Sequence, residues 1–232
     1  MNKQLNKLSN KNLLIDVKQF IRNSHEFYDK KNPEMKTLAN RLHQEYNLKD
    51  FYNVYNKLWS SGYHNERVLA INALELYRDN YDKETWKFLI PKLSEIKDFN
   101  EAEKIGVIIG EMTIKYPALK REIYKIANRR NVYYRKIALS SCLPLIKIKD
   151  WNFIFGIIQN RINDKEDNIK EFNGFLLNEI VKKNKTIIKK FVIRNINMPK
   201  VTFNIVSNNF KDLKKRRNIE NSNIGWLNMI GN

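Results

Sequence analysis

Apolar residues recur at helical spacing along nearly the whole chain, and little interrupts them. Leu13, Leu14, Val17, Phe20, Ile21 and Phe27 mark one face of a helix over 12–28. Pro33 suits the first turn of a second helix ending at Tyr46, because the N–H that proline lacks has no partner there. Leu48, Phe51, Val54, Tyr55 and Leu58 mark a helix over 48–60, closed by Ser60-Ser61-Gly62. The apolar positions from Val68 to Leu76 predict another over 64–79, and Asp82 caps one that runs to about Lys97. Further helices are expected over 100–115, stopping before Pro117, and over 117–128, 131–147, 149–162, 165–182, 185–194 and 199–210. Seven glycines and five prolines in 232 residues are too few turn formers for an all-β chain.

About a dozen short helices with short connections must pack as antiparallel neighbours, pair upon pair. The pairs recur at intervals of roughly 35–45 residues without a crisp sequence repeat. A pair of amphipathic helices cannot bury both faces alone, and stacking solves this. The expected fold is therefore all-α: HEAT-like helix pairs stacked in a curved superhelix, or solenoid, with an irregular helical bundle as the alternative. Residues 1–210 are expected to form one such domain. Residues 211–232 carry the basic cluster Lys211 to Arg217, an Asn-rich stretch and Trp226, and are read as a disordered basic tail. That tail either adds phosphate contacts or is a solvated terminus.

The formal charge is +18, from 43 basic and 25 acidic residues. Such an excess attracts a polyanion, and binding releases the polyanion's counterions. The abundance of Lys, Asn and Ile resembles a coding bias that inflates lysine, so the charge is discounted; nucleic acid is still favoured over an anionic membrane surface. Cys142 is the single cysteine, in an apolar run from Ala138 to Ile146, so it reads as a buried structural thiol and no disulfide forms within the chain. The polar N-terminus carries no secretory signal and no apolar run spans a membrane, so a cytoplasmic location is expected.

The histidines His25, His43 and His64 lack metal-ligand spacing, and no glycine-rich phosphate loop occurs. Neither a metal nor another cofactor is expected. Gly106 and Gly110 read as points of close helix packing. The strongest functional texture is Arg129-Arg130-Asn131-Val132-Tyr133-Tyr134-Arg135-Lys136. Asn131 is an N-cap candidate there, so a helix N-terminus with its partial positive charge meets four cationic side chains. Tyr133 and Tyr134 add ring or hydroxyl contacts beside them. Asp98-Phe99-Asn100-Glu101-Ala102-Glu103 is a second candidate, read first as dipole-compensating acids at a helix start.

At these segments the chain resembles the AlkD-like DNA alkylation repair family, HEAT-like repeat proteins best known as glycosylases for cationic alkylated bases. The resemblance spans roughly residues 12–205. Leu58-Trp59, Glu66-Arg67 and Leu69-Ala70 look like its Leu-Trp, acidic-basic helix pattern. Ile109-Gly110-Glu111 followed by Lys115-Tyr116-Pro117 looks like its Gly-acidic segment. Asn131 to Ala138 matches its W-x-R-R-x-A signature in place and spacing, and Lys165-Glu166, Gly174-Phe175 and Glu179 resemble its later G-W-x-L-R-E helix.

The departures bear on chemistry. Counting back from Gly110 puts the family's catalytic aspartate at Ala102 and its preceding tryptophan at Asp98. Lys136 stands for an arginine, Phe175 for a tryptophan and Asn178 for an arginine, while an expected aromatic pair reads Asp167-Asn168. The resemblance thus implies a monomeric protein that grips the backbone of damaged, bent or branched duplex DNA, with weak or no glycosylase activity. Arg129, Arg130, Tyr133, Arg135, Lys136, Lys170, Phe175 and Lys200 are its candidate DNA-binding residues, and no catalytic residue is assigned. One alternative is an active glycosylase for N3- or N7-alkylated purines, with Glu101 or Glu103 replacing the aspartate. Another is a HEAT-like protein-interaction scaffold with an acidic partner.

Overall fold

The structure, a computed structural model, describes residues 13–23, 33–210 and 212–217. The first twelve residues, the expected helical positions 24–28 with His25, and the tail from 218 on with Trp226 lie outside the described residues. Among the described residues no strand occurs, and thirteen α-helices follow one another up to Ser207. The chain is all-α, as expected. It divides into two compact units, Met1–Ile108 and Ile109–Asn232.

In the first unit, helices α1 (Leu13–Asn23), α2 (Pro33–Glu45) and α3 (Leu48–Trp59) all pack against α4 (His64–Glu75). Pro33 opens α2 as its sequence position predicts. Asn47 caps α3 by accepting from the Asp50 amide at 3.0 Å, and Gly62 makes the α3–α4 turn with φ +78°, a conformation that only glycine adopts cheaply. Every apolar residue of α4 from Leu69 to Leu74 is buried, so this helix is hydrophobic on more than one face and its neighbours wrap it. The same helix carries Glu66, which is fully buried. Its carboxylate lies 2.7 Å from Arg22 Nε and 3.4 Å from Lys18 Nζ, which pins α1 to α4.

The next expected helix, from Asp82 to about Lys97, is shorter than its pattern. Asp82 does cap it, accepting from the Thr85 amide at 2.9 Å, but α5 ends at Leu89 and the chain tightens to a 3-10 turn over Ile90–Glu95. Pro91 explains the change, since it removes the N–H that would continue the α-helical ladder. Helix α6 (Phe99–Lys115) follows.

In the second unit come α7 (Leu119–Ala127), α8 (Val132–Ser140), α9 (Cys142–Leu145), α10 (Trp151–Arg161), α11 (Asp167–Val181), α12 (Lys185–Arg194) and α13 (Lys200–Ser207). The single helix expected over 131–147 is two, because Pro144 cannot donate to the Ser140 carbonyl and the chain breaks at Ser141. Helix α11 is the hub: α8, α10, α12 and α13 all pack on it. Cys142 is fully buried, and burial pushes its thiol well above the ordinary range, so it is a core residue as expected. Residues 212–217 of the basic segment are helical, with Leu213 buried.

Two glycines set how close helices come. A Cβ on Gly110 would sit 2.3 Å from the Ser141 carbonyl oxygen and 2.8 Å from Pro144 Cδ. A Cβ on Gly174 would sit 2.9 Å from Ile205, where α11 meets α13. The first contact is with backbone and a rigid ring, so it cannot relax cheaply. Gly110→Ala is expected to destabilise the protein by about 1–3 kcal/mol, measured as a fall in thermal midpoint. An unchanged midpoint would mean that α6 and the Ser141 bend are not in contact as described.

Candidate nucleic-acid interface

The second unit places most of the candidate cations around one turn. Asn128 is the C-cap of α7, and its side-chain amide donates to the Tyr124 carbonyl at 2.9 Å. Arg129 and Arg130 follow, both exposed and neither in an ion pair among the described residues. Asn131 then caps α8, its side chain accepting from the Tyr133 amide at 2.8 Å. The turn therefore joins a helix N-terminus, its unpaired backbone N–H groups and two uncompensated guanidinium groups. Tyr133 and Tyr134, in the first turn of α8, are half-buried.

Arg135 and Lys136, expected beside them as direct phosphate ligands, are the two that lie inside. Arg135 is 3 % exposed. Its Nε lies 2.7 Å from Asp164 Oδ2 and its Nη2 donates to Asp164 Oδ1 at 3.0 Å. Nη1 donates to the carbonyls of Arg129 and Arg130. The guanidinium is thus turned to one carboxylate and to the turn itself, an arrangement that lysine cannot copy. Asp164 also accepts from the Glu166 amide at 3.1 Å and lies 3.7 Å from Arg161 Nη1. Arg161 in turn reaches the Asn128 side chain at 3.3 Å. The loop after α10 is therefore tied to the loop after α7 through Asp164.

Lys136 is 4 % exposed, and its Nζ stands 3.4 Å from the centre of the Phe172 ring. A desolvated cation over an aromatic face is worth about 2 kcal/mol. Phe172 leans on Phe175, with ring centres 5.3 Å apart, and Phe175 is 40 % exposed. A large aromatic ring thus stands at the surface with a cation held behind its neighbour. Lys170 is half-buried and paired with Asp167 at 2.7 Å, which offsets its charge. Lys200, the first residue of α13, is exposed and in no ion pair among the described residues. Asp164 and Arg161 escaped sequence reasoning, since nothing local marks a carboxylate 29 residues from its guanidinium.

The first unit holds the second candidate segment. Asp98 caps α6, accepting from the amides of Asn100 and Glu101 at 2.9 Å each. Glu101 is 3 % exposed and is held bidentately by Arg67, through Nε and Nη2 at 2.8 Å each. The Arg67 guanidinium lies 3.6 Å from the Trp59 ring centre, and the Trp59 indole N–H donates to Glu95 at 2.7 Å. His64 Nδ1 is 3.7 Å from the same Glu101 carboxylate. Ala102 has no exposed surface at all. No cluster of His, Cys, Asp and Glu able to hold a metal ion occurs among the described residues. None of the described helices is long and apolar enough to cross a membrane.

The sequence matches the family described as DNA alkylation repair enzyme over residues 1–205. The chain belongs to that family. Two solved structures share its fold. A predicted DNA alkylation repair enzyme from Enterococcus faecalis is 13 % identical, with a TM-score of 0.68 over 78 % of this chain and 86 % of that one. AlkD2 from Streptococcus mutans is 16 % identical, with a TM-score of 0.64 over 86 % of this chain and 98 % of its own. No curated protein matches the sequence significantly. At these identities the two structures speak for the all-helical architecture alone. Within the DNA alkylation repair family, then, this member has a buried alanine at 102, the position where the resemblance puts the family's aspartate. The adjacent glutamate is neutralised by Arg67.

Proposed function

We propose that this member of the DNA alkylation repair family binds duplex DNA by its phosphate backbone, preferring damaged, bent or branched forms, and has weak or no glycosylase activity. The observation that carries the reading is the turn at Arg129 and Arg130. Two exposed, uncompensated arginines flank the N-terminus of α8, and a buried Arg135–Asp164 pair braces the turn from beneath. Contacts of this kind read charge and shape more than base sequence. Arg129 and Arg130 are the direct phosphate ligands; Arg135 serves them by holding their carbonyls. Phe175 offers an exposed ring to a distorted strand, and Tyr133, Lys136, Lys170 and Lys200 complete the proposed surface, Lys136 through Phe172. The chain's net charge of +18 supplies the long-range attraction.

The weak chemistry is inferred from the carboxylates. Ala102 cannot stabilise a developing positive charge or orient water, and Glu101 already compensates Arg67. The protein is expected to release little or no N3- or N7-alkylated purine from duplex DNA while still retaining that DNA in a gel shift. Stoichiometric base release that is lost with Glu103→Gln in a protein of unchanged thermal midpoint would establish the enzyme instead.

Arg129→Ala with Arg130→Ala is expected to weaken binding evenly across DNA sequences. The slope of log affinity against log salt should shrink by about 1.8, at roughly 0.9 for each lost phosphate contact. Fluorescence anisotropy over a salt series measures it. Because both side chains are exposed, the thermal midpoint should not move. An unchanged slope would remove the turn from the interface.

A further inference from the structure

The residues matched to the family end at 205, yet the basic segment beyond them folds back onto α13. There Lys200, Phe203, Asn204 and Asn208 of α13 and its C-cap, with Lys214 and Arg217, line an open groove of about 720 Å³. The three cations are not offset by any carboxylate among the described residues. Lys200 is in no ion pair. Lys214 Nζ donates to the neutral Asn208 side chain at 2.9 Å. Arg217 lies 4.3 Å from the Phe203 ring centre and donates through Nη2 to the Met198 carbonyl at 3.0 Å. Its Nη1 is buried and has no hydrogen-bond partner among the described residues.

The contrast with nearby lysines is informative. Lys189, which lines a second groove with Lys185 and Lys190, is paired there with Asp212 at 2.7 Å, and Lys170 is paired with Asp167. The Lys200 groove, by contrast, gathers cations with no acid among the described residues and leaves Arg217 Nη1 without a hydrogen-bond partner there. Burial pushes the Arg217 pKa down, though an arginine stays protonated; the group is short of solvation rather than of charge. An anion with several acceptor oxygens corrects both deficits. The ring of Phe203 is 3 % exposed, so it supports the guanidinium from below and leaves no face for a base.

We propose that this groove is a phosphate site that takes a backbone phosphodiester of DNA. It extends the contact of the α7–α8 turn to residues outside the family match. The inference rests on the DNA-binding reading above. The Arg217 guanidinium donates to a phosphate oxygen from the edge that Met198 leaves over, and the two ammonium groups act as point charges on either side.

The test is Lys200→Ala with Lys214→Ala in the full chain. Binding is followed by fluorescence anisotropy at roughly 50 to 200 mM salt on one duplex carrying either 5′-hydroxyl or 5′-phosphate ends. The expected result is a salt slope smaller by about 1.8 and an affinity lower by roughly tenfold at the low-salt end, equal for both duplexes. Both lysines are exposed, so the thermal midpoint is expected to hold. Arg217→Lys keeps the charge but not the fork, and should lose affinity with a smaller change in slope. Unchanged binding by the double variant, with the parent protein bound normally, overturns the groove and removes Lys200 from the surface, while DNA binding through the Arg129–Arg130 turn stands. A loss confined to the 5′-phosphate duplex overturns the backbone assignment in favour of a strand end. A parent protein that binds neither duplex overturns both.

Discussion

Arg135→Ala is expected to cost the folded chain about 3–5 kcal/mol, because it strands the buried Asp164 carboxylate without its partner. For a chain of this length each kcal/mol moves the thermal midpoint by roughly 2–4 °C, so the midpoint should fall by on the order of 10 °C or more. Asp164→Ala should do the same from the other side, leaving a guanidinium buried with only two carbonyls. The pair is not needed for stability as such. A double variant, Arg135→Met with Asp164→Leu, removes both charges and should recover most of the loss. This pattern separates two roles for Arg135. A direct phosphate ligand on the surface would leave the midpoint alone and lower the salt slope by about 0.9. A brace for the turn moves the midpoint first, and DNA affinity falls only because the carbonyls of Arg129 and Arg130 are released. Arg135→Lys sharpens the distinction: it keeps the charge yet cannot hold Asp164 and the two carbonyls together.

The same residues show where sequence reasoning reaches and where it stops. Signals that act within a few residues were readable. Asn131 and Asp82 cap the helices they precede, Pro33 opens α2, and the break at Ser60-Ser61-Gly62 falls where the glycine has positive φ. Pro91 and Pro144 end α5 and split 131–147, while the apolar pattern that predicts the longer helices runs on through both breaks. What could not be read is the partner across the fold. Arg135 and Lys136 look like a surface pair because two adjacent cations on a helix are usually solvated. Their burial depends on Asp164 and Phe172, which lie 29 and 36 residues further on. Arg129 and Arg130 remain outside for a related reason: with their carbonyls claimed by Arg135, the turn faces its side chains to solvent.

Placing an aspartate at 102 is not expected to restore base release. The position has no exposed surface, so the new carboxyl would enter the interior rather than a cleft. The folded chain would hold it protonated, while the unfolded chain ionises it near pH 4. At pH 7 this difference costs about 4 kcal/mol, at roughly 1.36 kcal/mol for each of about three units. The sign is definite: a carboxyl whose folded pKa is raised loses stability above its unfolded pKa, so Ala102→Asp should be least stable near neutrality and approach the parent as the pH falls toward 4. Chemical denaturation at about pH 4.5 and about pH 7 measures the difference, and release of an alkylated purine is assayed on the same protein. Stability unchanged at pH 7 together with new base release would show that position 102 opens onto bound DNA and that one side chain separates this protein from an active glycosylase. The expected outcome, a destabilised and inactive variant, has a different meaning. It would place the divergence in the surrounding packing as well, where Glu101 is committed to Arg67, Arg67 to the Trp59 ring, and Asp98 to the cap of α6.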